Sequence, residues 1–76
     1  MYYRFAIPAM ICLTINGRPQ NFEQGLTCAE LIERLALAGT RIAIERNGEI
    51  VPRSRLADCR LADGDRLEIV GAVGGG

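Results

Sequence analysis

The sequence contains no lysine, no histidine and no tryptophan. Without histidine the usual general base of neutral-pH catalysis is missing. Ser54 is the single serine, so a Ser/His or Cys/His catalytic pair cannot be assembled from this chain. The three cysteines, Cys12, Cys28 and Cys59, are odd in number and form no C-x-x-C pair, which argues against a disulfide framework and a zinc site. They read as small packed thiols of a reducing compartment, with Cys59, between Asp58 and Arg60, as the candidate for receiving or passing sulfur. No run is long enough for a membrane-spanning helix, and Met1 to Ala9 lacks the continuous apolar stretch of a signal peptide. With nine basic and nine acidic residues the net charge is zero, so no basic excess points to nucleic acid or an anionic membrane. These absences leave a cytoplasmic domain with no catalytic or metal-ligating set of its own.

What is present is one small domain of 76 residues with a marginal core. Residues 1–9 read as an extension, weakly ordered or forming an extra strand. Ile11, Leu13 and Ile15 alternate with polar or small residues at the period of a half-buried strand. Asn16-Gly17 predicts a type I′ hairpin turn, with Arg18 to Phe22 returning. Pro19 places that strand at an edge. Thr27 and Glu30 form the pattern of a capping box, flanked by Leu26 and Leu31 as a hydrophobic staple. Leu31, Ile32 and Leu35 share a helix face, and Gly39 is the expected C-terminal stop. Ile42 to Arg46 and Glu49 to Val51 form a second hairpin about Asn47-Gly48, followed by a connector over Arg53 to Leu61 with one helical turn. Asp63-Gly64-Asp65 is a turn, and its two carboxylates serve turn formation better than metal or acid–base chemistry. Leu67 and Ile69 mark a last strand.

The order β-β-α-β-β-β predicts an α+β fold: one mixed sheet of about five strands with a single main helix packed across it, spanning residues 10–70. The first and last strands are expected to pair in parallel, because a helical crossover lies between them. This is the β-grasp, or ubiquitin-like, arrangement.

Residues 71–76 are a glycine-rich tail, G-A-V-G-G-G. At average composition a terminal Gly-Gly arises in roughly one chain in two hundred, so the end invites a chemical explanation. Glycine lacks a Cβ and can thread a narrow channel. A fully extended tail of this length reaches about 20 Å, enough to enter a partner's active site. There the terminal carboxylate can be activated as an acyl adenylate. Gly76 is the candidate reacting residue, Gly74 and Gly75 the recognised tail, and Val70, Ala72 and Val73 a candidate apolar contact with a partner. Arg46, Arg53, Arg55, Arg60 and Arg66 are weaker docking candidates; surface arginines are more often simply solvated.

The runs Asn47-Gly48-Glu49-Ile50-Val51-Pro52-Arg53-Ser54 and Leu61-Ala62-Asp63-Gly64-Asp65-Arg66-Leu67-Glu68-Ile69, closed by Gly75-Gly76, resemble the ThiS family of thiamine-biosynthesis sulfur carriers. The resemblance covers Met10 to Gly76; the nine preceding residues depart from it. It implies a carrier that is not an enzyme and binds no cofactor. An adenylyltransferase of the ubiquitin-activating type, using ATP, would adenylate Gly76. A cysteine-desulfurase persulfide would supply sulfur to give a thiocarboxylate, which thiazole synthase would consume. The N-G-E-I-V-P-R run favours the thiamine branch, while D-G-D and Gly-Gly are shared with related carriers. A carrier for molybdopterin or tRNA thiolation, a ubiquitin-like protein modifier and a non-covalent module remain alternatives. A modifier lacking lysine could not build lysine-linked chains on itself.

Overall fold

The computed structural model describes residues 9–71, within which five strands form one mixed sheet in the order β2-β1-β5-β3-β4. β1 (Met10–Ile15) and β2 (Arg18–Glu23) are an antiparallel hairpin. Their turn places both Asn16 and Gly17 at positive φ, 49° and 84°, as type I′ geometry requires. Ile15 pairs with Arg18 and Thr14 with Pro19, so Pro19 falls at a position whose missing N–H faces the open edge. The second Asn-Gly turn, Asn47 and Gly48, joins β3 (Ile42–Arg46) to the two-residue β4 (Glu49–Ile50). A 3₁₀ turn at Arg53–Arg55 opens the connector. β5 (Arg66–Gly71) runs between β1, to which it is parallel, and β3, to which it is antiparallel.

The helix α1 (Cys28–Arg34) starts where the capping residues predict. The Glu30 amide donates to Thr27 Oγ1 at 3.1 Å, and the Thr27 amide donates to Glu30 Oε1 at 2.9 Å. A cap of this kind stabilises by about 1 kcal/mol, a useful fraction for a seven-residue helix. Leu26 and Leu31 are both in the buried core.

The helix ends earlier than Gly39. Ala36, not Gly39, takes the left-handed position after the cap, at φ 59°. Its amide donates to the Glu33 carbonyl at 3.0 Å, and the Leu37 amide to that of Ile32 at 2.9 Å. That pair of bonds is a Schellman motif. Leu37 folds back against the core and sets the stop, so packing overrides the glycine three residues on. Alanine pays a steric penalty at this angle. Ala36→Gly is therefore expected to raise stability by about 0.5–1 kcal/mol, net of the extra chain entropy of glycine. Urea unfolding should show a higher midpoint with an unchanged slope; a lower midpoint would contradict the assignment.

The core lies between α1 and one face of the sheet. Ile11, Leu13 and Ile15 of β1, Ile44 of β3, and Leu67 and Ile69 of β5 meet Cys28, Leu31 and Ile32 of the helix. Leu26 and Leu61 close the side. The same alternation sends Glu68 and Val70 to the opposite, open face.

Candidate functional site

The tail candidates Ala72, Val73, Gly74, Gly75 and Gly76 lie outside the described residues, as do residues 1–8 of the N-terminal extension. What the structure does show is how the tail is launched. β5 leads into it from the middle of the sheet, and both of its edges are held.

On the β1 side, backbone pairing is carried by Thr14, whose amide donates to Asp65 O at 3.0 Å, and Asn16, whose amide donates to Leu67 O at 2.9 Å. The Asn16 side chain then extends the ladder by another step. Its Oδ1 accepts the Ile69 amide at 2.8 Å, and its Nδ2 donates to the Ile69 carbonyl at 3.0 Å. A carboxamide presents the same acceptor–donor pair as a peptide group, so it substitutes for the next residue of a strand that has already turned away. On the β3 side, pairing continues to Gly71, opposite Ile42.

The start of β5 is fastened by a second asparagine and by Asp65. Asn47 Oδ1 accepts the Arg66 amide at 2.9 Å, while its Nδ2 donates to Asp65 Oδ1 at 3.0 Å. Asp65, 7% exposed, also accepts the Ala62 amide and Arg46 Nε, each at 2.8 Å, on Oδ2. Burial pushes the Asp65 carboxyl up, but the Ala62 amide, Asn47 and Arg46 together outweigh it and hold the group below the usual aspartate range. Asp63 acts at β1 instead. Its Oδ1 accepts the Cys12 amide at 2.6 Å, and the neighbouring Gly64 amide donates to the Cys12 carbonyl at 2.8 Å. The D-G-D turn thus prolongs the sheet along β1 before β5 begins.

By local rules Asn16 and Asn47 are turn formers only. Nothing in their sequence neighbourhood distinguishes them from other residues that tolerate positive φ; their second role needs β5 beside them. Arg46 was a candidate for docking, but it points inward to Asp65 and is not free for that use. Arg53, Arg55, Arg60 and Arg66 are exposed. Val70 is 57% exposed on the open face, opposite Ala43, near the root of the tail. Ile50, 69% exposed, lies on the same face opposite Glu45. Among the described residues no cluster of three or more His, Cys, Asp or Glu could hold a metal, and no helix is long and apolar enough to cross a membrane.

The ThiS family model matches residues 13–76, from the middle of β1 to the last glycine. The chain belongs to the ThiS family. Its fold agrees: the crystal structure of the thiamine biosynthesis protein ThiS from Geobacter metallireducens matches with a TM-score of 0.76 at 32% identity, covering 87% of this chain and 100% of that one. The sulfur carrier protein ThiS of Bacillus subtilis is 34% identical over 65 residues, 84% of this chain and 98% of that protein. A thiazole synthase of Paramagnetospirillum magneticum is 45% identical over 64 residues, which are 84% of this chain but 20% of that protein. The ThiS-family chain therefore spans about a fifth of the length of that relative. The β-grasp expected from element order is the architecture of solved structures of the family, and the family match includes the glycine tail.

Proposed function

We propose that this chain is a sulfur carrier of thiamine (thiazole) biosynthesis and is a substrate of its partners, not an enzyme. The observation that carries the reading is the family match, which runs through β5 and the tail to Gly76. In this reading an adenylyltransferase of the ubiquitin-activating type uses ATP to convert the Gly76 carboxylate to an acyl adenylate, releasing pyrophosphate. The terminal sulfur of a persulfide donor, such as a cysteine desulfurase, attacks the acyl carbon and AMP leaves. Cleavage of the sulfur–sulfur bond by a second thiol then yields the thiocarboxylate. Sulfur is a stronger nucleophile than oxygen here, and a protein tail delivers it without free sulfide. Thiazole synthase is the proposed acceptor, which a related segment within a protein of that name supports.

The fold's contribution is mechanical. β5 is gripped on both edges up to Ile69 and Gly71, so the globule can dock while the tail enters a partner. Gly74 and Gly75 offer the least backbone bulk for such a channel. Val70, with Ala72 and Val73, is the proposed apolar contact beside it.

Intact-mass measurement after reaction with the adenylating enzyme, ATP and a persulfide donor tests this. The expected change is a gain of about 16 Da, one oxygen replaced by sulfur, located in the C-terminal peptide. Deleting the gene should create a thiazole requirement. Unchanged mass with demonstrably active partners, or a molybdoenzyme defect with normal thiamine synthesis, would overturn the assignment.

A further inference from the structure

Two of the three thiols meet where the connector crosses the start of the helix. Cys28 is fully buried and Cys59 half-buried, yet their Sγ atoms are 3.0 Å apart. Their main chains are held together as well. Thr27 and Arg60 form an antiparallel bridge, the Cys28 amide donates to the Cys59 carbonyl at 2.9 Å, and the Leu61 amide donates to that of Leu26 at 2.9 Å. Residues directly opposed in such a ladder have Cα atoms about 4.5–5.5 Å apart, inside the range a disulfide spans. The backbone therefore presents both thiols at bonding reach, and the sulfurs need to close by only about 1 Å.

One thiol of the pair, the half-buried Cys59, borders a surface groove. Cys59 lines a groove of about 410 Å³ shared with Arg46, Arg55 and Arg60. Arg46 Nη1 lies 3.7 Å from its sulfur. Glu49 and Asp58 also line the groove and balance Arg55 and Arg60, while Arg46 is paired with Asp65. The groove gives a small disulfide a place to approach the Cys59 sulfur. Cys28 offers no such access: burial, then the neighbouring Cys59, pushes its thiol up to about 12.

We infer that Cys28 and Cys59 are a modification site, a thiol pair that small disulfides of the oxidised glutathione class convert to an intramolecular disulfide. The Cys59 thiolate attacks one sulfur of the oxidant, forming a mixed disulfide and expelling one glutathione thiolate. The Cys28 sulfur then attacks Cys59 Sγ and expels the second. Two electrons pass from the protein to the oxidant. The two protein protons end on two molecules of reduced glutathione. The bond would join the helix start to the connector across 31 positions of sequence. Nothing in this depends on what the glycine tail does.

The test uses the full chain carrying Cys12→Ser, which removes the exposed third thiol. Incubated with oxidised glutathione, it should lose about 2 Da and become inert to alkylation after unfolding. Proteolysis should recover Cys28 and Cys59 in one linked fragment. The thermal midpoint should rise by about 10 °C over the reduced form. With Cys28→Ala added, the reaction should stop at a glutathione adduct on Cys59, a gain of about 305 Da. A persistent adduct on Cys59 while Cys28 is present would overturn the proposal. So would an unchanged mass with both thiols still alkylatable.

Discussion

Asp65→Ala is expected to lower the stability of this domain by about 3 kcal/mol, because three donors lose their acceptor at once. The carboxylate takes the Ala62 amide, Asn47 Nδ2 and Arg46 Nε, and it is nearly inaccessible to replacement water. For a domain of this size such a loss lowers the midpoint by about 15 °C. Asp65→Asn should be nearly as damaging. An amide keeps one acceptor for three donors and turns its NH₂ toward Arg46 or Asn47. Arg46→Met should cost less, since Asp65 keeps its other two donors and Arg46 is the more exposed partner of the pair. The pH dependence has a definite sign. The folded-state value of Asp65 lies below its unfolded value of about 3.9, so its contribution is fully present above that pH and drains away as pH falls through the lower, folded value. Asp65→Ala should flatten the acid limb below about pH 4. Urea titrations from pH 7 to pH 2 would check both statements, and a loss under about 1 kcal/mol at pH 7 would refute the role given to Asp65.

Removing Gly75 and Gly76 is expected to reduce thiocarboxylate formation at least 100-fold. The shortened chain still ends in a glycine, Gly74, so the carboxylate chemistry is unchanged. What changes is reach, by about 7 Å at full extension. A misplacement of even about 1 Å in a reacting group can cost a factor of about 100. Because β5 is gripped by Asn16 and by its pairing with β3 up to Gly71, the globule cannot readily feed extra strand into the channel to compensate. Single-turnover formation of the thiocarboxylate, followed by intact mass, measures this directly. Full-rate sulfuration of the truncated chain would refute the idea that tail length, counted from a fixed β5, positions Gly76.

The tail was conspicuous in the sequence, because three terminal glycines stand out against composition and their chemistry can be argued from the lack of a Cβ. Asp65 was not conspicuous. In the sequence it is half of an Asp-Gly-Asp turn, with Asp63 as its apparent equal. In the fold the two part company: Asp63 is exposed and serves the edge of β1, while Asp65 is buried at the junction of β3, the connector and β5. Arg46 shows the same limit from the other side, since a charge on an alternating strand reads as surface until a buried carboxylate is found beneath it.

Local rules decided what local rules govern. The alternation of β1 and β5, the two Asn-Gly turns, the capping box at Thr27 and Glu30 and the edge position of Pro19 each follow from sterics or hydrogen bonds within a few residues. The order of elements then left one economical sheet, and the runs around Asn47 and Asp63 with the closing glycines marked the family. The helix stop, by contrast, passed to Ala36, because Leu37 had core to pack against and Gly39 had no such contact to gain. The double duty of Asn16 and Asn47, the bonds of Arg46 and Asn47 to Asp65 and the meeting of Cys28 with Cys59 join residues 18 to 53 positions apart. Such pairings carry no local signature, since the same side chains would serve a turn or a packed thiol equally well alone. Only the tertiary structure, by placing β5 between the two hairpins, decided what each of them holds.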